Sequence, residues 1–490
     1  MCANGIGVAT FHHLTQAVKN TQTVDSPDRK QDRSRLALGV ALALGLIVRA
    51  VLLWNTTALQ PRVVDEQHFT QLARNLVAGN GFSWSEGQPT SIRPPLYPAM
   101  VASVWSIAGV DGFQIIRLLQ MALALLTAAL VYQIGARVYN SKVGRYAAAV
   151  FWLYPSLLFF NFLILTETLF TFLLIAHVLL GIALLQRPRM TTAAFCGLTL
   201  GLAALTRSVV FPALLVLCPL LFVALEAPVR RKAALVGLIV AGYLAVVAPW
   251  AVRNTRLQHT LTIIDTMGGR NLRMGNYTYT PTDRMWNAVA LTGPESWSAD
   301  LPRTSGLSSM TEGEIDRWAQ GKAVTYILQH PWITIRRSVT KFADFWGLER
   351  EFIAGVQQGL YAPPAWVAGL GAALITLAYV LVVVSGAAGI WLAPPRDLRP
   401  HLVMLLPILL ITGLHTITFG HSRYHLPLMP LFCVYGAALV VERPSRAFRA
   451  IDVKPMLAAA ASIVVLIGIW IEQVAIVDLT RIQSWLDHVR

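Results

Sequence analysis

Residues 146–186 read YAAAVFWLYPSLLFFNFLILTETLFTFLLIAHVLLGIALLQ, and only Glu167 and His177 interrupt about 40 apolar or neutral residues. A helix needs roughly 20 apolar residues to cross a bilayer. The stretch therefore holds two helices joined by a tight turn, with Glu167 at the turn. Residues 191–225 repeat the pattern with Arg207 as their only charge, and residues 402–441 repeat it with His415, His421, Arg423 and His425. The three turns are expected at one membrane face. Charges gathered at one face, rather than strung through the middle, suggest chemistry at the membrane surface.

Composition agrees. The chain has 490 residues, of which 55% are hydrophobic and 13% charged, with a mean hydropathy of +0.55. Soluble domains are less apolar than this, and repeated long apolar runs mark a multi-pass, all-α membrane protein. The net charge is +15. Because the basic residues flank apolar runs, the excess reads as the positive-inside pattern and attraction to anionic lipid, not as nucleic-acid binding. Cys196, Cys218 and Cys433 lie in apolar stretches and Cys2 in the N-terminal tail, with no CxxC and no zinc spacing. Residues 1–35 are polar, and Arg29, Lys30, Arg33 and Arg35 precede the first apolar run. That run is expected to be an uncleaved signal-anchor with a cytoplasmic N-terminus.

Spans are expected at 36–54, 114–137, two in 146–186, two in 191–225, 233–250, 363–392, two in 402–441, and 456–477. The apolar piece 95–110 is short for a span. If it lies in or re-enters the membrane, every basic connector falls in the cytoplasm, as the positive-inside rule requires. This gives about 11 transmembrane helices, with 55–113 and 251–362 on the outer side beside the three turns. Arg336, Arg337 and Lys341 are exceptions there. With Trp332, Phe342 and Trp346 they predict an amphipathic helix lying on the outer surface.

Several residues in these outer segments could carry chemistry. Asp65 and Glu66 sit about 100° apart if helical, so one can face substrate and the other structure. A solvated acidic pair is the plainer reading. Arg93-Pro94-Pro95-Leu96-Tyr97-Pro98 opens the short apolar piece as a rigid helix start, from which Tyr97 could face a sugar. Glu167 is the only acid in its stretch. Arg207, Arg253, Arg270 and Arg423 stand where the positive-inside rule disfavours them. Guanidinium groups grip phosphate bidentately, although pairing with Asp65, Glu167 or lipid is the alternative. Gly268-Gly269-Arg270-Asn271-Leu272-Arg273-Met274-Gly275-Asn276 would let backbone and Asn side chains approach a sugar or phosphate, or is an ordinary turn. His259, His330 and His421 could join Asp65 or Glu167 at a metal. His421 and His425 have the four-residue spacing of a helix face but lack the glutamate of a zinc-protease motif.

Taken in order, these motifs resemble a known group. Val64-Asp65-Glu66, Gly79, Gly81-Phe82, Pro89 and Arg93–Pro98 come first. Thr166-Glu167-Thr168-Leu169-Phe170, Leu205-Thr206-Arg207, Pro249-Trp250 and Arg253-Asn254 follow. Gly268-Gly269, Asn271-Leu272, Gly275-Asn276 and Arg423-Tyr424, with Leu426-Pro427-Leu428 and Pro430, complete the series. Over about 36–442 the order resembles the GT-C membrane glycosyltransferases of the protein O-mannosyltransferase-like group, which includes lipid A aminoarabinose transferases.

The resemblance implies a fold of 11–13 helices with a periplasmic or luminal cavity and a sugar donor attached to a polyprenyl phosphate. It makes Asp65 the acid of the first outer loop, with Glu66 beside it, and Glu167 the acid of the second. Arg207, Arg253 and Arg423 become candidates for the donor phosphate. Arg93, Tyr97, Asn254, Asn271, Asn276 and Tyr424 join them as phosphate or sugar contacts. The 251–362 loop is too short for the β-rich protein-binding domain of eukaryotic protein mannosyltransferases, which makes a lipid or glycan acceptor more secure than a protein. The expected layout is a tail (1–35), a catalytic membrane module (36–250), an outer loop with interfacial helices (251–362) and C-terminal transmembrane helices (363–490).

The expected activity is inverting transfer of a monosaccharide from a polyprenyl-phosphate donor to a lipid, glycan or protein acceptor, at the outer face of a cytoplasmic membrane. A transporter or flippase of lipid-linked sugars is the main alternative, and a surface-polysaccharide ligase or polymerase another. Transporters keep charges near the midplane and show repeats, neither of which is visible. A divalent metal stays open.

Overall fold

The computed structural model describes residues 27–282, 284–302, 310–446, 453–479 and 483. Most of the expected tail, 1–35, and the basic residue Arg449 lie outside them. Among the described residues there is no strand, only an isolated bridge between Ser83 and Pro89.

Among the described residues, eight helices are long and apolar enough to cross a membrane. They are α1 (Pro27–Asn55), α4 (Phe113–Val138), α7 (Glu167–Gln186), α10 (Val229–Gln258), α15 (Ala365–Leu392), α16 (Leu398–Ile417), α17 (Met429–Arg446) and α18 (Val453–Glu472). The span of α17 begins earlier, at Ser422, in a 3-10 turn over Ser422–Leu428. The chain is an integral membrane protein by this measure.

The remaining expected passes are interrupted or short. In the first hairpin, α5 (Ser141–Leu153) stops and α6 (Pro155–Phe160) begins again. Pro155 supplies no N–H and forces extended backbone on Tyr154, which sits at φ −63°, ψ 113°. In the second hairpin, α8 (Met190–Ala204) and α9 (Ala213–Ala224) have 15 and 12 residues. A count of 11 full-length spans is therefore not what the helices show. The turns nevertheless fall where the sequence puts them, with Glu167 opening α7, Arg207 following α8, and Arg423 in the 3-10 turn before α17.

Close helix contact in the apolar layer rests on small residues. A Cβ on Gly197 of α8 would lie 1.9 Å from the Ile239 carbonyl oxygen of α10, and one on Gly242 would lie 2.4 Å from the Ala194 oxygen. Backbone approach of this kind replaces the hydrophobic driving force that lipid does not supply.

Two short helices shape the segment between α1 and α4. These are α2 (Val64–Val77), which carries Asp65 and Glu66, and α3 (Leu96–Ala108). With 13 residues, α3 is too short to span. Its first amide, Leu96 N–H, donates to the Leu205 oxygen at 3.0 Å, tying the helix start to the turn that holds Arg207.

Beyond α10 come α11 (Gly268–Met274), α12 (Glu312–Gln329), α13 (Pro331–Phe345) and α14 (Glu351–Gln357). α10 itself runs to Gln258, so Arg253 and Asn254 lie on a helix rather than in a loop. The expected helix exists as α13, with Trp332 and Arg336 exposed, but two of its basic residues turn into the protein. Arg337 and Lys341 are buried, whereas Trp332, Ile335 and Val339 are exposed. Arg337 donates to the Tyr277 and Thr280 oxygens at 2.8 and 3.0 Å. Lys341 Nζ donates to Asn276 Oδ1 and the Ile417 oxygen, both at 2.9 Å. Trp346, expected on the lipid side, is buried too.

Candidate active site

Three turns, helix α2 and the loop before α3 meet at a single ionic cluster. Glu167 starts α7, where a carboxylate is favoured by the helix N-terminal dipole. Its side chain is 0% exposed, yet Oε1 takes Arg207 Nη1 at 2.9 Å and also Arg423 Nε. The same Arg423 reaches Asp65 Oδ2 through Nη1 at 3.1 Å. Asp65 Oδ1 in turn receives Arg93 Nη2 at 2.6 Å. Asp65, Glu167, Arg93, Arg207 and Arg423, five residues from distant parts of the sequence, thus form one chain of charge. Three guanidiniums meet two carboxylates in these ion pairs, and a third carboxylate, Glu351, lies within electrostatic reach of Arg423.

Aromatic faces line this chain. The Arg207 guanidinium lies 5.3 Å from the Tyr424 ring centroid and 5.7 Å from that of Phe170. Arg423 lies 5.9 Å from Phe160 and Arg93 5.8 Å from Phe69. Tyr424 stacks on His415 at 4.4 Å, so its ring is the shelf under Arg207. Burial pushes the Asp65 carboxyl up, but the guanidiniums of Arg423, Arg93 and Arg207 outweigh that and hold it at about 2. Glu167 Oε2 is buried without a hydrogen-bond partner among the described residues.

Glu66 does a different job from its neighbour. Its Oε2 accepts from the Arg62 and Val63 amides at 3.1 Å each, and its Oε1 from the Ile164 amide at 2.8 Å. The carboxylate is saturated by backbone, clamping the start of α2 to the loop that leads into Glu167. A direct catalytic part does not fit it; Glu66 is a positioning residue. Replacing Glu66 with alanine should leave three amides short of an acceptor, at about 1–3 kcal/mol for the buried Ile164 amide if it stays unsatisfied and less for the part-buried Arg62 and Val63 amides. The variant should melt well below the parent in a thermal unfolding series. An unchanged Tm would remove Glu66 from this role.

Other expected contacts are also committed to the scaffold. Tyr97 is buried and donates to Gln120 Oε1 at 2.8 Å, so it cannot face a sugar. Gln120 Nε2 holds the Asn161 and Leu163 oxygens, both at 2.9 Å, and Arg117 Nε holds the Phe162 oxygen at 2.9 Å. Together they fix the loop before Glu167. Arg253 is likewise absorbed, by the Thr90 oxygen at 2.6 Å, the Phe82 oxygen at 3.1 Å and Asn254 Oδ1 at 2.9 Å. Asn254 Nδ2 donates to the Ile264 oxygen at 2.9 Å. Asn276 bonds Lys341 and the Leu272 and Ile417 oxygens. Arg270 turns to Glu312 and Asp316. Asn271 lies half-buried on α11, and no contact joins it to the ionic cluster.

The histidines do not gather around a metal. His421 lies 3.4 Å from Glu351, while His425 is buried 3.2 Å from Glu349. The 3-10 turn denies them the shared face that an α-helix would give. His259 caps α10 in a left-handed conformation, and His330 stacks on Tyr326. Among the described residues no group of three or more His, Cys, Asp or Glu side chains could hold a metal ion. Asp65 and Glu167, each engaged by two guanidiniums, form a poor donor set for a cation.

One site residue, His68, and one buried carboxyl within electrostatic reach of Arg93, Asp265, are not marked by the sequence motifs. His68 Nδ1 lies 2.9 Å from Arg93 Nη2. Arginine can only donate, so His68 accepts there and is neutral. Its pKa is lowered by burial and by Arg93. Three positions from Asp65 on one helix, it could have been found by spacing. Asp265 has its carboxyl pushed up to about 6 by burial, partly offset by hydrogen bonds from Ser208 and Met267. It sits in an unremarkable loop, and nothing in the sequence marks it.

Residues 92–252 match the dolichyl-phosphate-mannose-protein mannosyltransferase family. The similarity to GT-C glycosyltransferases implied by the motif order is therefore found over about a third of the chain. The matched segment holds Arg93, Glu167 and Arg207, whereas Asp65 and Arg423 lie outside it. No curated protein matches the chain. Among solved structures, the Archaeoglobus fulgidus oligosaccharyltransferase in its complex with Zn and sulfate is 17% identical, with a TM-score of 0.46, covering 88% of this chain and 52% of its own. ArnT from Cupriavidus metallidurans, bound to undecaprenyl phosphate, is 15% identical, with a TM-score of 0.45, covering 87% of this chain and 71% of its own. The chain spans about half the length of the archaeal enzyme.

Proposed function

We propose that the protein is a membrane glycosyltransferase. It moves a monosaccharide from a polyprenyl-phosphate donor to an acceptor hydroxyl at the outer face of a cytoplasmic membrane, with its N-terminus in the cytoplasm. The observation that carries this reading is Arg423, which bridges Asp65 and Glu167 and so gathers three guanidiniums at one place. Guanidiniums so gathered suit the phosphate of a sugar phosphodiester. The matched family and the undecaprenyl phosphate named for ArnT support a lipid-phosphate donor.

In the proposed reaction the prenyl tail stays among the apolar helices and the phosphate takes up the guanidiniums of Arg207 and Arg423. The acceptor oxygen attacks the anomeric carbon, and the bond from that carbon to the phosphate oxygen breaks. The bonding pair leaves on the phosphate, which departs as a monoester carrying close to −2. Cationic clamping of this developing charge is the largest expected term. Asp65 takes the acceptor proton. At about 2 it is too weak a base in the free protein, but the arriving phosphate diverts Arg423 and adds a negative charge nearby, and both raise its basicity. Glu167 Oε2, which has no partner among the described residues, is placed to accept from a sugar hydroxyl.

The test is incubation of the purified protein in lipid with radiolabelled polyprenyl-phosphate monosaccharides and a membrane extract. Transfer of label with release of polyprenyl phosphate is the expected result. Movement of intact donor across the bilayer without release would replace this reading with transport.

A further inference from the structure

The outer segment between α1 and α3 contains a cavity of about 330 Å³ that the transfer chemistry does not use. That volume falls within the range of about 300–1,000 Å³ usual for small-molecule sites. Gln60, Gln67, His68, Gln71, Arg74 and Trp84 line it. No carboxylate belongs to the lining, and its one formal cation, Arg74, is already paired with Asp111 at 2.8 Å. The lining is thus electrically neutral and rich in side-chain amides. Each amide both donates and accepts, as a sugar hydroxyl does. Trp84 supplies an aromatic wall; its ring meets that of His68 at 4.9 Å, and its carbonyl is held by Gln71 Nε2 at 3.1 Å. An anion would find no free charge here, and a lipid tail would find polar walls.

Position gives the cavity its relation to the reaction. His68 belongs to the lining and also contacts Arg93, which contacts Asp65. The cavity therefore approaches Asp65 from the Arg93 side. Arg207 and Glu167, assigned above to the donor, connect to Asp65 through Arg423, which takes Oδ2 while Arg93 takes Oδ1. We propose that this cavity is the acceptor subsite and that it takes a neutral saccharide, which makes the acceptor a glycan or glycan-bearing molecule. The proposal rests on the transferase reading for the word acceptor, but the binding it describes does not.

Two measurements on the full chain in lipid nanodiscs test it, with Gln67→Ala and Trp84→Leu beside the parent. The first is saturation-transfer NMR with methyl hexosides, methyl pentosides and hexose disaccharides. The second is transfer kinetics against donor hydrolysis without acceptor. Saccharide should bind the parent, and each variant should weaken it roughly ten-fold, the factor of one well-made contact. KM for a saccharide acceptor should rise by the same factor, with donor hydrolysis unchanged. Gln67 is exposed, so its variant keeps the test open should the Trp84 variant misfold. Transfer to acceptors with KM unchanged in both variants, or no saccharide binding to the parent, would overturn the subsite. Saccharide binding that the variants weaken, in a protein that releases no polyprenyl phosphate, would keep the subsite and sink the transferase reading.

Discussion

Arg423→Ala should abolish transfer and lower the melting temperature together. The loss of one preorganised donor to a developing anion typically costs about 10²–10³ in rate, and Arg423 also organises both acids. The stability cost comes from Glu167, whose side chain is 0% exposed. Removing one partner of a buried ion pair costs about 3–5 kcal/mol. Arg207 and Arg93 remain on Glu167 and Asp65, so the lower end of that range is expected. Arg423→Lys keeps the charge but not the fork that reaches two carboxylates, and should recover stability more than activity. Adding Glu167→Gln to Arg423→Ala should restore much of the Tm without restoring transfer, the coupling expected of contacting residues. Paired thermal melts and transfer assays decide this. Arg423→Ala with parental Tm and transfer within ten-fold of the parent would remove Arg423 from the centre.

Asp65→Asn should separate binding from turnover. The side chain keeps its volume while one carboxylate charge is removed from the cluster, so the anionic donor should bind at least as well. Turnover should fall by about 10²–10⁴, the usual contribution of a positioned base. A low kcat with an unchanged or lowered donor KM is the signature; a raised KM with parental kcat would make Asp65 a binding residue only. The pH dependence follows from the sign of its shift. The folded carboxyl is held at about 2, below the unfolded value of about 3.9. Its stabilising contribution is complete above the unfolded value and is lost as pH falls toward 2. Melting temperatures between pH 5 and 8 should therefore be the same function of pH in the parent and Asp65→Asn.

How much of this was legible follows from which physical signal each residue carries. Glu167, Arg207 and Arg423 stand out in the sequence because a charge in a long apolar stretch is costly, and all three meet in the cluster. Asp65 and Arg93 had no such contrast and came from motif order. Tyr97, Arg253, Asn254 and Asn276 look like ligand contacts in sequence because they are polar residues among Gly and Pro. Whether such a side chain faces substrate or a backbone carbonyl depends on tertiary partners that spacing does not encode. For α13, the pattern predicted the helix and its two faces, but not that Arg337 and Lys341 would find carbonyl oxygens inside the protein. The break at Tyr154–Pro155 was available from the proline itself.

The order of residues along the chain also sets an order of assembly. Asp65 and Arg93 are separated by 28 positions and Glu167 and Arg207 by 40, whereas Arg423 lies 358 positions from Asp65 and 256 from Glu167. Synthesis proceeds from the N-terminus, and folding tends to follow it. Each acid therefore meets a nearby arginine while the first half of the protein is being inserted, which shields Glu167 from lipid during the wait. The residue that joins the two pairs is inserted late, with the third hairpin. A chain that stops short of that hairpin is expected to keep the two local pairs and to lack the residue that joins them.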